Sequence, residues 1–275
     1  MAVTLAGCAS NAPRALDIDT SLQAKAHSSR VQYIVVHYTA ASLARSISLL
    51  TTSKVSAHYL ITDEPRPRIM RLVDESRSAW HAGHSAWFGR SWLNANAIGI
   101  EIVNDGYTKD AEGNRQWTPY SEAQIERTIA LIRDIAHRHD ISPENIVGHS
   151  DIAPQRKVDP GPLFPWNRLA EAGLGRWFDP AVMQQTRAQL QATSGTPDVL
   201  WFQCMLQSAG YEVAQHGVLD DATRRVLAAF QMHYRPQVHD GQPDQETAAI
   251  LMALPALAGE PRISGASFQT DDDVP

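Results

Sequence analysis

The chain has 275 residues, with 24 Lys and Arg against 30 Asp and Glu, and a net charge of −6. That length and an ordinary globular composition allow two domains. The mildly acidic balance, without a basic run or an interleaved basic and aromatic patch, excludes a nucleic-acid partner held by charge, and no apolar run approaches the length of a membrane span.

Residues 1–30 read as a tether. Leu5-Ala6-Gly7-Cys8 resembles the lipobox of bacterial lipoproteins, and the resemblance implies a lipid on Cys8. Ala9 in place of an aspartate then implies sorting to the outer membrane, with the protein in the periplasm, anchored to the inner leaflet. The residues before Cys8 are too few for a complete signal sequence, so the natural start is expected upstream. Cys204, in a helix-like apolar pattern, reads as a buried free thiol.

Val31 to Val36 is β-branched and nearly continuous in apolar character, as in a strand buried on both faces, and it ends in His37. A histidine there projects into the crevice where open α/β sheets bind ligands. Thr39 to Thr52 reads as a helix on Leu43, Ile47 and Leu50. Ala57 to Ile61 and Arg68 to Val73 are short strands around the Pro65-Arg66-Pro67 turn. His58 and Tyr59 alternate faces, so at most one reaches the cleft, and Tyr59 is assigned to it as a substrate contact. Trp80 to Trp87, aromatic and polar together, reads as a loop lining a site, with His81 either contacting substrate or packed within the loop.

Ala97 to Val103 is a second apolar strand with Glu101 inside it, costly unless paired or used. Asn104 to Pro119 reads as a polar surface loop. Ser121-Glu122-Ala123-Gln124 is a capping box opening a helix striped by Ile125, Ile129, Ile132 and Ala136. Asn145 to Gly148 is a short strand delivering His149, and the Pro- and Gly-rich run through Asp159 to Pro162 reads as a shaped loop, not a helix. A brief helix follows from Pro165 to near Gly173.

The first domain is expected to span 31–180. Residues 181–197, rich in Gln, Ala, Thr and Ser, read as a linker, helical at most in the first part. Residues 198–258 form a small three-helix module with an internal echo: Gly217-x-x-Asp220-x-x-Thr223 recurs as Gly241-x-x-Asp244-x-x-Thr247, each Asp placed to cap a helix. Residues 259–275, rich in Gly, Ser and Asp, read as disordered. The fold class is therefore α/β, a mixed central sheet flanked by helices and followed by a helical module.

His37, His149 and Asp159 offer two nitrogens and one oxygen, a set that suits zinc and leaves a fourth position for water. By residue type alone a satisfied structural histidine is the commoner reading. Beyond residue type, Val36-His37-Tyr38-Thr39, Ile98-Gly99-Ile100-Glu101, Gly148-His149-Ser150-Asp151 and Lys157-Val158-Asp159-Pro160-Gly161 occur in the order found in zinc-dependent N-acetylmuramoyl-L-alanine amidases of the amidase-2 family. That family shares its fold with peptidoglycan-recognition proteins. The resemblance implies that His37, His149 and Asp159 bind zinc, Glu101 activates water, Lys157 stabilises the oxyanion, and Asn96 contacts substrate. For Glu101 and Lys157 a plain ion pair fits the same residues. The C-terminal module resembles type 1 peptidoglycan-binding domains through Leu206-Gln207, Gly210-Tyr211, Asp220-x-x-Thr223 and Phe230-Gln231, implying peptidoglycan or muropeptides as partner. A muropeptide binder that does not cut, and a cytoplasmic recycling amidase, are the rival readings.

Overall fold

A computed structural model describes residues 16–193 and 195–257, so Cys8 and the tail expected to be disordered lie outside the described residues. Residues 16–28 are exposed and carry neither helix nor strand.

The core of the first domain is a five-stranded sheet in the order β3-β2-β6-β1-β9. Its strands are β1 (Tyr33–Tyr38), β2 (Tyr59–Ile61), β3 (Ile69–Arg71), β6 (Ala97–Ile102) and β9 (Ile146–Gly148); β1 runs parallel to β6 and β9, β2 parallel to β6, and β3 antiparallel to β2. Two short ribbons lie outside it, β4–β5 (Ala86–Trp87 with Arg90–Ser91) and β7–β8 (Tyr107–Lys109 with Arg115–Trp117). The second ribbon lies inside the segment expected to be a plain loop. It turns at Gly113, whose φ of +86° suits glycine, and Arg115 lies 4.8 Å above the Tyr107 ring.

Helix α1 (Leu43–Thr52) follows β1, and α2 (Glu122–His139) opens on the expected capping box, the Ser121 hydroxyl accepting from Gln124 N and Gln124 Oε1 from Ser121 N. Ile125, Ile132 and Ile135 of α2 pack on Ile34, Val36, Ile98, Ile100 and Ile102, one face of the sheet. The other face carries Tyr33, Val35, Ala97 and Val147, and there the C-terminal module docks. The run expected to be free of helix contains one turn, α3 (His149–Ile152); α4 is Trp166–Glu171.

The segment expected to be a linker is a packed helix, α5 (Pro180–Ala192), capped by Asp179. Its Leu190 is buried and its Arg187 faces Glu246 of α8 (Gln245–Ala253), because an apolar face hidden among Gln and Thr suffices for docking. With α8, α6 (Val199–Ser208) and α7 (Asp221–Tyr234) make the three helices expected in 198–258, and α5 packs on them as a fourth. The sequence echo has a structural meaning. Asp220 and Asp244 cap α7 and α8 through the N–H of Thr223 and Thr247. Behind each cap sits a buried glutamine: Gln203 accepts from Gly217 N and donates to Thr223 Oγ1, and Gln231 accepts from Gly241 N and donates to Thr247 Oγ1.

On the α2 face, Glu75 accepts from Tyr59, Arg138 and His139. The Arg138 hydrogen bonds, working against burial and helped by Tyr59 and His139, pull the Glu75 carboxyl down to about 2. A carboxylate lowered by folding stabilises above its ordinary pKa of 4.5 and loses that contribution as pH falls toward 2. Glu75→Gln is therefore expected to melt below wild type at neutral pH, with the gap closing between pH 4.5 and 2 in thermal scans.

Candidate active site

The strand ends bring the chemistry together. His37 of β1 and Glu101 of β6 are direct register partners, side by side on the face opposite α2. Gly148 of β9 pairs with Val36, so the next residue, His149, emerges beside His37. A Cβ on Gly148 would lie 2.7 Å from Pro160 Cδ; only glycine lets the 159–162 loop approach this strand end. Ser150 N then donates to the Asp159 carbonyl at 2.8 Å, tying that loop to the turn that carries His149.

As a result Asp159 Oδ2 lies 3.0 Å from His37 Nδ1 and 3.1 Å from His149 Nδ1. The three residues are buried, and each offers one ligand atom within 4.8 Å of the other two. A tetrahedral ion with bonds of about 2.0–2.1 Å spaces neighbouring ligands by about 3.3 Å, so the donor set fits a divalent metal. The rear nitrogens are also placed for that role: His149 Nε2 meets the Ala82 carbonyl at 3.1 Å and His37 Nε2 meets His81 Nδ1 at 3.1 Å, which leaves both Nδ1 atoms facing inward. Burial and then the neighbouring His149 push the His37 imidazole down to about 4, so it is neutral at pH 7. Burial alone would raise the Asp159 carboxyl, but His149 and His37 overcome it and hold the group well below the usual carboxylate range. Neutral imidazole and ionised carboxylate are the states that bind metal.

Glu101 Oε2 is buried and has no hydrogen-bond partner. No ion pair joins it to Lys157 among the described residues. Burial, then the Asp159 charge, push its carboxyl well above the usual range, with Lys157 opposing. Lys157 also lowers His37, so its charge is felt by a metal ligand and by Glu101 together. A buried polar atom left without a partner beside a ligand cluster calls for an explanation.

The three expected substrate contacts are placed differently. Tyr59 is register partner to Ile100, points to the α2 face and donates to Glu75, because strand alternation sends it away from Glu101. Asn96 precedes β6, at the end of the sheet opposite Glu101, about 16 Å away at roughly 3.3 Å per residue; its carbonyl accepts from Gln32 N at 2.8 Å and Tyr33 N at 3.2 Å. His81 sits behind His37, its ring against Gly99, where a Cβ would fall 2.4 Å from ring carbon. It is a neighbour of His37, on the face of the sheet that carries Glu101. Asn94, unmarked in the sequence, holds that loop by accepting from His81 N and Ala82 N. Arg156, also unmarked, joins the same loop to the catalytic one, donating to the Ala82 and His84 carbonyls. Trp87 is buried, and Trp92 lies exposed with its ring 5.4 Å from His84.

Residues 27–162 match the N-acetylmuramoyl-L-alanine amidase family, and residues 195–251 match a peptidoglycan binding domain family. The chain is 44% identical over 264 residues to the N-acetylmuramoyl-L-alanine amidase AmiD of Escherichia coli K12, covering 92% of this chain and 94% of AmiD. The structure of AmiD with its substrate anhydro-N-acetylmuramic acid-L-Ala-D-γ-Glu-L-Lys superposes with a TM-score of 0.78 at 43% identity, over 86% of this chain and 93% of that one. AmpDH3 of Pseudomonas aeruginosa, in complex with anhydromuramic pentapeptide, gives 0.79 at 40% identity, over 88% and 97%. With the four motifs, the ligand cluster and the two-part fold all in agreement, the chain belongs to the N-acetylmuramoyl-L-alanine amidase family and carries a C-terminal domain of the peptidoglycan-binding family.

Proposed function

We propose that this protein hydrolyses the amide between the lactyl group of N-acetylmuramic acid and the L-alanine of the stem peptide, in peptidoglycan or its fragments, with zinc held by His37, His149 and Asp159. The observation that carries the reading is the convergence of those three buried ligands beside Glu101, whose Oε2 is buried and unpaired. Zinc bound there would supply the positive charge that acidifies water and polarises the amide carbonyl. Glu101 has the position and the free oxygen to take a proton from the attacking water and to return it to the leaving nitrogen. Lys157 brings a second positive charge to the oxygen that becomes negative as the carbonyl turns tetrahedral. Arg156, Asn94 and His81 hold the loop and ligands in place.

The C-terminal module is proposed to hold the same polymer, and a lipid on Cys8 to place the enzyme in the periplasm at the outer membrane, a reading supported by the Leu5-Ala6-Gly7-Cys8 motif. The test of the activity is mass spectrometry of sacculi treated with the protein, with and without a chelator. Free stem peptides beginning with L-alanine are expected, and are expected to vanish on chelation. Sacculi that bind the protein and stay uncut would identify a recognition protein instead.

A further inference from the structure

Asp151, two residues after a metal ligand, is 1% exposed, and its carboxylate is gripped from both modules. Its Oδ2 accepts from Gly148 N at 2.7 Å, closing the turn that begins with His149. The remaining donors come from the C-terminal module: the Tyr211 hydroxyl to Oδ1 at 2.7 Å and His233 Nδ1 to Oδ2 at 2.8 Å. Tyr211 and His233 are themselves buried, and His233 stacks on Trp166 with ring centroids 4.0 Å apart. Trp166 in turn lies 3.2 Å from where a Gly148 Cβ would be, so the same contact fixes the strand end that delivers His149. A buried carboxylate deprived of its donors is strongly destabilised, and this one sits on the four-residue turn whose Ser150 N–H also holds the Asp159 backbone.

We propose that Tyr211 and His233 are positioning residues for the metal site: the C-terminal module, through Asp151, sets the placement of His149 and with it the affinity for zinc. This rests on the metal site proposed above. The module is then a structural part of the catalytic centre as well as a grip on the polymer. Groups that orient metal ligands from behind are worth about 10–100-fold in metal affinity.

The experiment is competition for zinc against a chromophoric chelator, on the full chain, well below the melting temperature of each metal-free variant. Tyr211→Phe and His233→Phe keep the rings and their packing but lose the donors, and each is expected to weaken zinc binding about tenfold or more. Gln155→Ala removes a different bond between the modules, Gln155 Nε2 to the Ala222 carbonyl, and is expected to bind zinc as wild type does. Wild-type affinity in both phenylalanine variants overturns the inference. Loss equal in all three variants also overturns it, since docking in general and not Asp151 would then be responsible. A wild-type protein that takes up no zinc removes the metal site, and this inference with it.

Discussion

Glu101→Gln is expected to cut sacculi at about one-hundredth to one ten-thousandth of the wild-type rate, the range in which general acid–base groups contribute. That corresponds to about 3–5 kcal/mol of barrier. The change is nearly isosteric at a half-buried position whose Oε2 touches no donor, so the fold is expected to survive. Zinc content by metal analysis should match wild type, because Glu101 is not among the converging ligands. Loss of rate with zinc retained is the signature of a proton-transfer group. A variant that keeps the wild-type rate removes Glu101 from the chemistry.

Asp159→Ala should have the larger physical effect, since one oxygen of this carboxylate meets both imidazoles, at 3.0 and 3.1 Å. Without it two buried histidines face each other with ring centroids 4.4 Å apart and no anion between them. Zinc stoichiometry measured after dialysis is expected to fall from near one to near zero, and hydrolysis with it. The melting temperature of the zinc-loaded wild type should exceed that of the variant by the full linkage contribution of the ion, which grows with free zinc. In the metal-free proteins the gap should be much smaller. A variant that still holds a full equivalent of zinc would place the metal elsewhere.

The catalytic centre was legible because its residues sit where strands end. His37 and Glu101 lie on apolar β-branched runs that can only be central strands, and the Gly-Pro loop that carries Asp159 advertises its shape. Tyr59 and Asn96 were misplaced for a geometric reason. Alternation decides which of His58 and Tyr59 meets the cleft, and the starting phase is not visible in three residues of strand; Asn96 sits at the strand's first end, while the chemistry is at its last. His81 was found but its seat was not, because nothing in Trp80-His81-Ala82-Gly83 says that Gly99 leaves a niche for the ring. The β7–β8 ribbon is too short and too polar to show a period of two. Asp151, although within a recognisable motif, is explained only by Tyr211 and His233, some 60 and 82 residues later.

Helix α5 has a consequence for how the enzyme must work. A flexible tether would let a wall-bound bundle trail its cutting half over a wide radius; a docked rod, with Tyr33, Val35, Phe202 and Phe230 sharing one apolar interior, allows no such search. If the bundle holds the polymer as proposed, the scissile bond must already lie a set distance and angle away. The molecule would then act as a calliper, the spacing of its jaws written into the packing of α7 against α3 and α4.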